Sequence, residues 1–177
     1  MATAAKYIGK PMKRKEDPRL IQGLAHYVDD IRLADMLHMA VLRSPYAHAK
    51  IRSVDASKAK SAPNVVAVLT GEDLAGKIGP IPCAAVIPDM KAAMRLPLAT
   101  DKVRFVGEPI AVIAGTDKYS ARDALDLIEV DYDSLPAVTD PEKAIAKGAP
   151  KIYENFDDNI GYRWELEGGD IINATLK

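Results

Sequence analysis

The stretch VRFVGEPIAVIAGTDKYSARDALDLIEVDYDSLP, residues 103–136, decides the reading of the fold. VRFV and PIAVIAG are apolar runs of strand length, interrupted by Gly107, Glu108 and Pro109. A glycine frees the backbone, a proline removes a hydrogen-bond donor, and a carboxylate among valines and isoleucines must reach solvent or find a partner. The triplet is therefore expected to make a bend or bulge, with Pro109 starting the second strand and Glu108 held there by a hydrogen bond or an ion pair. TDKYSARDALDLI then has Thr116 or Asp117 to cap a helix, and Ala121, Ala124, Leu125 and Ile128 at the spacing of one buried face. EVDYDSLP follows as a strand with Val130 and Tyr132 on one side of the pleat and Asp131 and Asp133 on the other. Strand, helix, strand places the chain in a mixed α/β or α+β class.

Working outward, LHMAVLR (37–43), AKIRSVD (49–55) and NVVAVLT (64–70) read as further strands. The first two are joined by a short Ser44-Pro45 link, which predicts either antiparallel pairing or a corner between layers. ASKAKSAP (56–63), GEDL (71–74) and DPEKAIAKG (140–148) read as short helical turns, the last with Pro141 at its start and Gly148 at its end. Residues 76–100 hold four prolines and two glycines in 25 positions, so an irregular excursion is expected there. Residues 1–23, broken by Pro11 and Pro18, read as an extended arm without a regular element, and YRWELEGG (162–169) reads as a strand. The organisation expected is an arm over 1–23, one domain over 24–150 and a C-terminal segment over 151–177.

Composition excludes several function classes. A net charge of −1 leaves no excess of Lys and Arg to replace phosphate counterions, so nucleic acid is not an expected partner. The cluster Lys10, Lys13, Arg14 and Lys15 runs straight into Glu16 and Asp17 and reads as a solvated arm. No apolar run is long enough to cross a membrane, and the first residues lack the apolar core of a secretion signal. The single cysteine, Cys83, permits neither an internal disulfide nor a site built of several thiolates, which fits a cytoplasmic protein.

Candidate chemistry is sparse. His26, His38 and His48 show neither H-x-H nor H-x-x-x-H spacing and read as structural rather than as metal ligands. Cys83 has no adjacent basic residue to lower its pKa, and Ser44 sits in no nucleophile motif. GEDLAGKIG (71–79) matches no phosphate-binding loop, and Gly168-Gly169 reads as a turn. The carboxylates of EVDYDSLP and YENFDDN fall on the wet side of their segments. No complete catalytic constellation is present.

Five segments nevertheless occur together in a recognisable order: GKPMKRKEDPRLIQGLAHYVDDI (9–31), SPYAHAKI (44–51), LPLATDKVRFVGEPIAVIAG (96–115), the helix TDKYSARDAL, and EVDYDSLPAVTDPEKAI (129–145). Together they resemble the N-terminal domain of the molybdenum-binding large subunit of the xanthine dehydrogenase, aldehyde oxidase and aerobic carbon monoxide dehydrogenase family. RFVGEPIAVI and VDYDSLPAVTDP are nearest in style to the carbon monoxide dehydrogenase branch. The resemblance implies an α/β hammerhead fold, a mixed sheet with flanking helices. Ser44, Pro45, His48, Gly107, Glu108 and Pro109 are its structural markers in this chain.

The resemblance also implies an oxidoreductase, in which a molybdenum–pterin cofactor passes electrons through iron–sulfur clusters to FAD. In that family the pterin-binding loops and the base glutamate belong to longer domains that follow this one. No catalytic, cofactor-binding or metal-ligating residue is therefore carried over. The expected partners are a molybdopterin-binding domain or subunit, then iron–sulfur and FAD subunits. The reading is a non-catalytic structural domain, either a split subunit or part of a longer chain, inactive alone. A stand-alone module that reuses the fold to bind a small ligand or a protein stays open as the alternative, as does, more remotely, a hydrolase using Glu108 or Asp131.

Overall fold

The computed structural model describes residues 7–85, 87–165 and Gly168. The chain divides into two units, Met1–Met36 and Leu37–Lys177. In the first, helix α1 (Asp17–Ile21) occupies part of the stretch read as an arm without regular structure. Pro18 lies in its first turn, where a missing N–H costs nothing. Gly23, at φ +69°, closes the helix, with Leu24 N donating to Arg19 O at 2.9 Å. A 3₁₀ turn follows at Val28–Asp30, where the Asp30 carboxylate accepts from Tyr27 N at 2.9 Å. No described residue of this unit is buried.

The second unit carries two three-stranded sheets. Strands β1 (His38–Arg43), β3 (Val65–Thr70) and β5 (Pro109–Gly115) form one, in the order β1-β5-β3. Strands β2 (Ala49–Asp55), β4 (Lys102–Val103) and β6 (Glu129–Ser134) form the other, in the order β4-β2-β6. The mixed sheet implied by the resemblance is realised as two sheets in which every ladder is antiparallel. Of the alternatives left by the Ser44-Pro45 link, the chain takes the corner, since β1 and β2 lie in different sheets.

Short helices α2 (Ser57–Lys60) and α4 (Lys118–Asp123) pack on one face of the first sheet. Asp117 caps α4, accepting from Tyr119 N and Ser120 N. The expected face is in place, with Ala121, Ala124 and Ile128 buried and Leu125 partly so. The single helix read over 116–128 instead tightens into a 3₁₀ turn at Ala124–Leu127. Helices α3 (Gly71–Leu74) and α5 (Pro141–Ala144) stand where short helical turns were expected. The described residues of 76–100 are irregular, with an isolated bridge between Ile81 and Arg95. In the strand expected over 162–169, residues 162–165 and Gly168 form none, while 166, 167 and 169 lie outside the described residues.

Two cores result. Val68, Ala111 and Ile113 meet Ala56, Ala59, Ala121, Ala124 and Ile128 under the helices, while Ala49, Ala99, Val103 and Ile110 form a second cluster against the other sheet. The alanines remove side-chain bulk, so short helices lie close on the strands. Strand β5 serves both cores through an irregularity in register: Leu42 pairs with Ala111 but Arg43 with Pro109, leaving Ile110 extra. That extra residue lets Ile110 and Ala111, neighbours in sequence, both be fully buried despite the alternation of a strand.

Candidate functional site

The Gly-Glu-Pro triplet is not a kink inside one strand. Only Lys102 and Val103 of the first apolar run pair, in β4; the chain then leaves that sheet and enters β5 in the other. Arg104, Phe105, Val106 and Gly107 make the crossing. The reason is positional. Val103 faces the second core and Ile110 returns to it, so the residues between must turn outward, and Gly107 at φ +89° supplies the turn.

Ser44, at the end of β1, meets this crossing by two backbone hydrogen bonds: Ser44 N donates to Glu108 O at 2.9 Å and Gly107 N to Ser44 O at 2.8 Å. Arg43 adds a bond from its guanidinium to Gly107 O at 2.9 Å. The Ser44 hydroxyl accepts from Tyr46 N and donates to Tyr46 O, which forms the corner after Pro45. Its oxygen is engaged in the turn rather than poised as a nucleophile.

Glu108 is 8% exposed, and its carboxylate accepts from Arg104 N, so the side chain closes the loop that carries it. Burial raises its pKa above the ordinary value of 4.5, opposed by that hydrogen bond and by the charges of Arg104 and Arg95. It borders a cleft of about 230 Å3 that also includes Arg95, Asp101, Arg104 and Tyr153. The expectation of a held carboxylate at a bend is met, with a backbone N–H as the partner.

His48, 8% exposed, sits on the far side of the corner. Its Nδ1 is 2.8 Å from Pro136 O, and because a carbonyl only accepts, Nδ1 carries the hydrogen. The ring thereby ties the entry of β2 to the exit of β6, reinforced by Leu135 N donating to His48 O at 2.9 Å. Its Nε2 is buried without a hydrogen-bond partner. Tyr46 and Tyr132 pack against each other across the same corner, ring centroids 4.7 Å apart and planes tilted by 40°.

Sequence reasoning missed the cationic half of the site. Lys102 is 3% exposed, and its ammonium pairs with the exposed carboxylate of Glu154, whose pKa is lowered chiefly by that hydrogen bond. The Arg104 guanidinium lies 5.1 Å from the centroid of Tyr153 and donates to Lys102 O at 3.1 Å. Nothing in ATDKVRF marks Lys102 for burial, because its partner is 52 positions away. The structure thus brings together Ser44, Gly107, Glu108 and Pro109 at one crossing, with His48 and Pro45 on the corner beside it.

Chemically, this arrangement clamps two sheets together. Among the described residues, no three His, Cys, Asp or Glu side chains come together as metal ligands, and Cys83 is a lone exposed thiol. The described residues therefore supply no donor set that fits a metal ion or an iron–sulfur cluster. Among the described residues no helix is long and apolar enough to cross a membrane.

The family model described as aldehyde oxidase and xanthine dehydrogenase, a/b hammerhead domain, matches residues 22–136. The carbon monoxide dehydrogenase large chain of Afipia carboxidovorans is 38% identical over 96% of this chain and 22% of its own. The crystal structure of quinoline 2-oxidoreductase from Pseudomonas putida 86 superposes with a TM-score of 0.78 at 37% identity, over 87% of this chain and 20% of that one. A Cu,Mo-CO dehydrogenase structure superposes with a TM-score of 0.71 at 41% identity, over 86% and 19%. The chain thus spans about a fifth of the length of these relatives.

Proposed function

The chain belongs to the aldehyde oxidase and xanthine dehydrogenase hammerhead family, and on that premise we propose that it is a non-catalytic structural part of a molybdenum-dependent oxidoreductase. It corresponds to the N-terminal part of a large chain like that of carbon monoxide dehydrogenase. The observation that carries this reading is the match over 96% of this chain to 22% of such a chain. The site agrees with it: the side chains of Ser44, Glu108 and Lys102 are committed to internal bonds, and Nδ1 of His48 likewise.

In this reading the molybdenum–pterin cofactor, iron–sulfur clusters and FAD are held by other parts of the assembled enzyme. The immediate partner is the molybdopterin-binding domain or subunit, and the iron–sulfur and FAD subunits join it. Residues 7–23 and the described residues of the 76–100 excursion are the surfaces that this reading turns toward that partner. A cytoplasmic setting goes with a chain whose one cysteine, Cys83, is a free thiol. The clefts beside Glu108 and His48, about 230 Å3 and 210 Å3, are smaller than usual small-molecule sites.

The test is co-expression of the chain with the remaining large-subunit polypeptide of its enzyme. The two are expected to purify together, with substrate oxidation depending on both. No association, with full activity from the other polypeptide alone, would overturn the proposal.

A further inference from the structure

The two sheets differ in the faces they turn away from their cores. In the β4-β2-β6 sheet the outward positions are polar, with Lys50 paired to Asp133, Ser53 to Asp131 and Asp55 to Glu129 in register. An ion pair of 3.1 Å between Arg52 and Asp133 lies on that side. This is the pattern of an antiparallel sheet with one face in water.

The β1-β5-β3 sheet breaks that pattern. Ala40, Leu42, Val68, Ala111 and Ile113 point to the helices and the core. The opposite positions, Met39, Val41, Ala67, Leu69, Val112 and Ala114, are also apolar, and register sets them side by side: Met39 and Ala67 flank Ala114, Val41 and Leu69 flank Val112. Met39 is 72% exposed, Leu69 39%, and Val66 at the adjoining register irregularity 56%. HMAVLR, VVAVLT and PIAVIAG are apolar on both sides of the pleat, the composition of strands covered on both faces. β1 and β3 are edge strands as well.

We infer that this outer face of the β1-β5-β3 sheet docks against an apolar surface of the polypeptide that supplies the rest of the large chain. The inference rests on the function proposed above. Two observations choose this occupant over a second copy of the chain. The relatives carry most of their length beyond the part matched here, so covering polypeptide is available in every one of them. The face also measures only about 14 Å across three strands by about 17 Å along them, roughly 250 Å2. A stable dimer needs about 800 Å2 from each partner.

The test introduces Met39→Asp and, separately, the milder Leu69→Gln into the chain co-expressed with the remaining large-subunit polypeptide. Asp131→Lys on the outer face of the other sheet serves as control. Thermal unfolding of each variant alone establishes that it folds. Both variants of the apolar face are expected to reduce the recovered complex by about tenfold or more, a truncation effect typical of an interface centre, and the control to leave it unchanged. Assembly of both variants at wild-type yield overturns the docking face while leaving the proposed function standing. A wild-type dimer abolished by Met39→Asp, with assembly unaffected, assigns the face to a second copy and overturns the inference. Failure of the wild-type chain to assemble at all counts against the proposed function, and the inference falls with it.

Discussion

Glu108 shows how much a single side chain owes to its surroundings. Its type and neighbours announce an acid that needs a partner; only the crossing between sheets decides that the partner is the N–H of Arg104. Burial is the largest influence on its pKa and raises it, so the folded state holds the proton more tightly than the unfolded chain does. Its contribution to stability is complete below the ordinary value of 4.5 and is lost as pH rises through the higher folded value. Glu108→Gln keeps an oxygen to accept from Arg104 N and removes the titration. The stability advantage of the wild type over this variant is therefore expected to shrink as pH climbs above 4.5, read from urea midpoints across a pH series. A difference that stays flat, or that grows with pH, contradicts the account.

At the scale of elements, Gly71 follows the last residue of β3 and begins α3 under tight constraint. A Cβ there would stand 2.3 Å from Ala99 O and 2.9 Å from the Ala99 carbonyl carbon, both backbone atoms that cannot rotate away. Thr70 and Asp73 hold the turn as a reciprocal cap, Thr70 N and its hydroxyl donating to the Asp73 carboxylate at 2.8 and 2.9 Å. Gly71→Ala is expected to cost about 1–3 kcal/mol by overpacking, measured by chemical denaturation. An unchanged midpoint would show that the 96–100 segment yields freely. The strands and caps around this point were legible in the sequence, since apolar runs, Asp117 and Pro141 are local signals. The closeness of Ala99 to Gly71, 28 positions away, has no such signal. The tightening of residues 124–127 into a 3₁₀ turn is of the same kind, because the buried face is satisfied by either helical form.

Across the whole second unit, distant ties do what local pattern does not. Lys102 in β4 pairs with Glu154, and Lys91 in the irregular excursion pairs with Asp158 at 2.7 Å, so the segment following α5 is fastened to residues far earlier in the chain. The lysine of the first pair is almost wholly buried and the glutamate largely exposed. The carboxylate's pKa is depressed, so the tie is present above 4.5 and is lost as pH falls through the lower folded value. Glu154→Gln is expected to speed amide hydrogen exchange around residues 150–156, while β5 keeps its protection. Exchange unchanged throughout would mean that the pair holds nothing in place.

What the sequence by itself determined is most of the strands and short helices of the second unit, their order, and membership of a hammerhead family, because hydrophobic period, caps and turn residues act within a few positions of themselves. It missed helix α1 in the arm and placed a strand at residues 162–165, which form none. Gly107, Glu108 and Pro109 announced a break in the chain for the same reason. Tertiary structure alone decided that the break is a passage between two sheets, that Lys102 is buried, and that one sheet keeps an apolar outer face. Each of these depends on which strands become neighbours, and that choice is made by contacts between residues far apart in the chain.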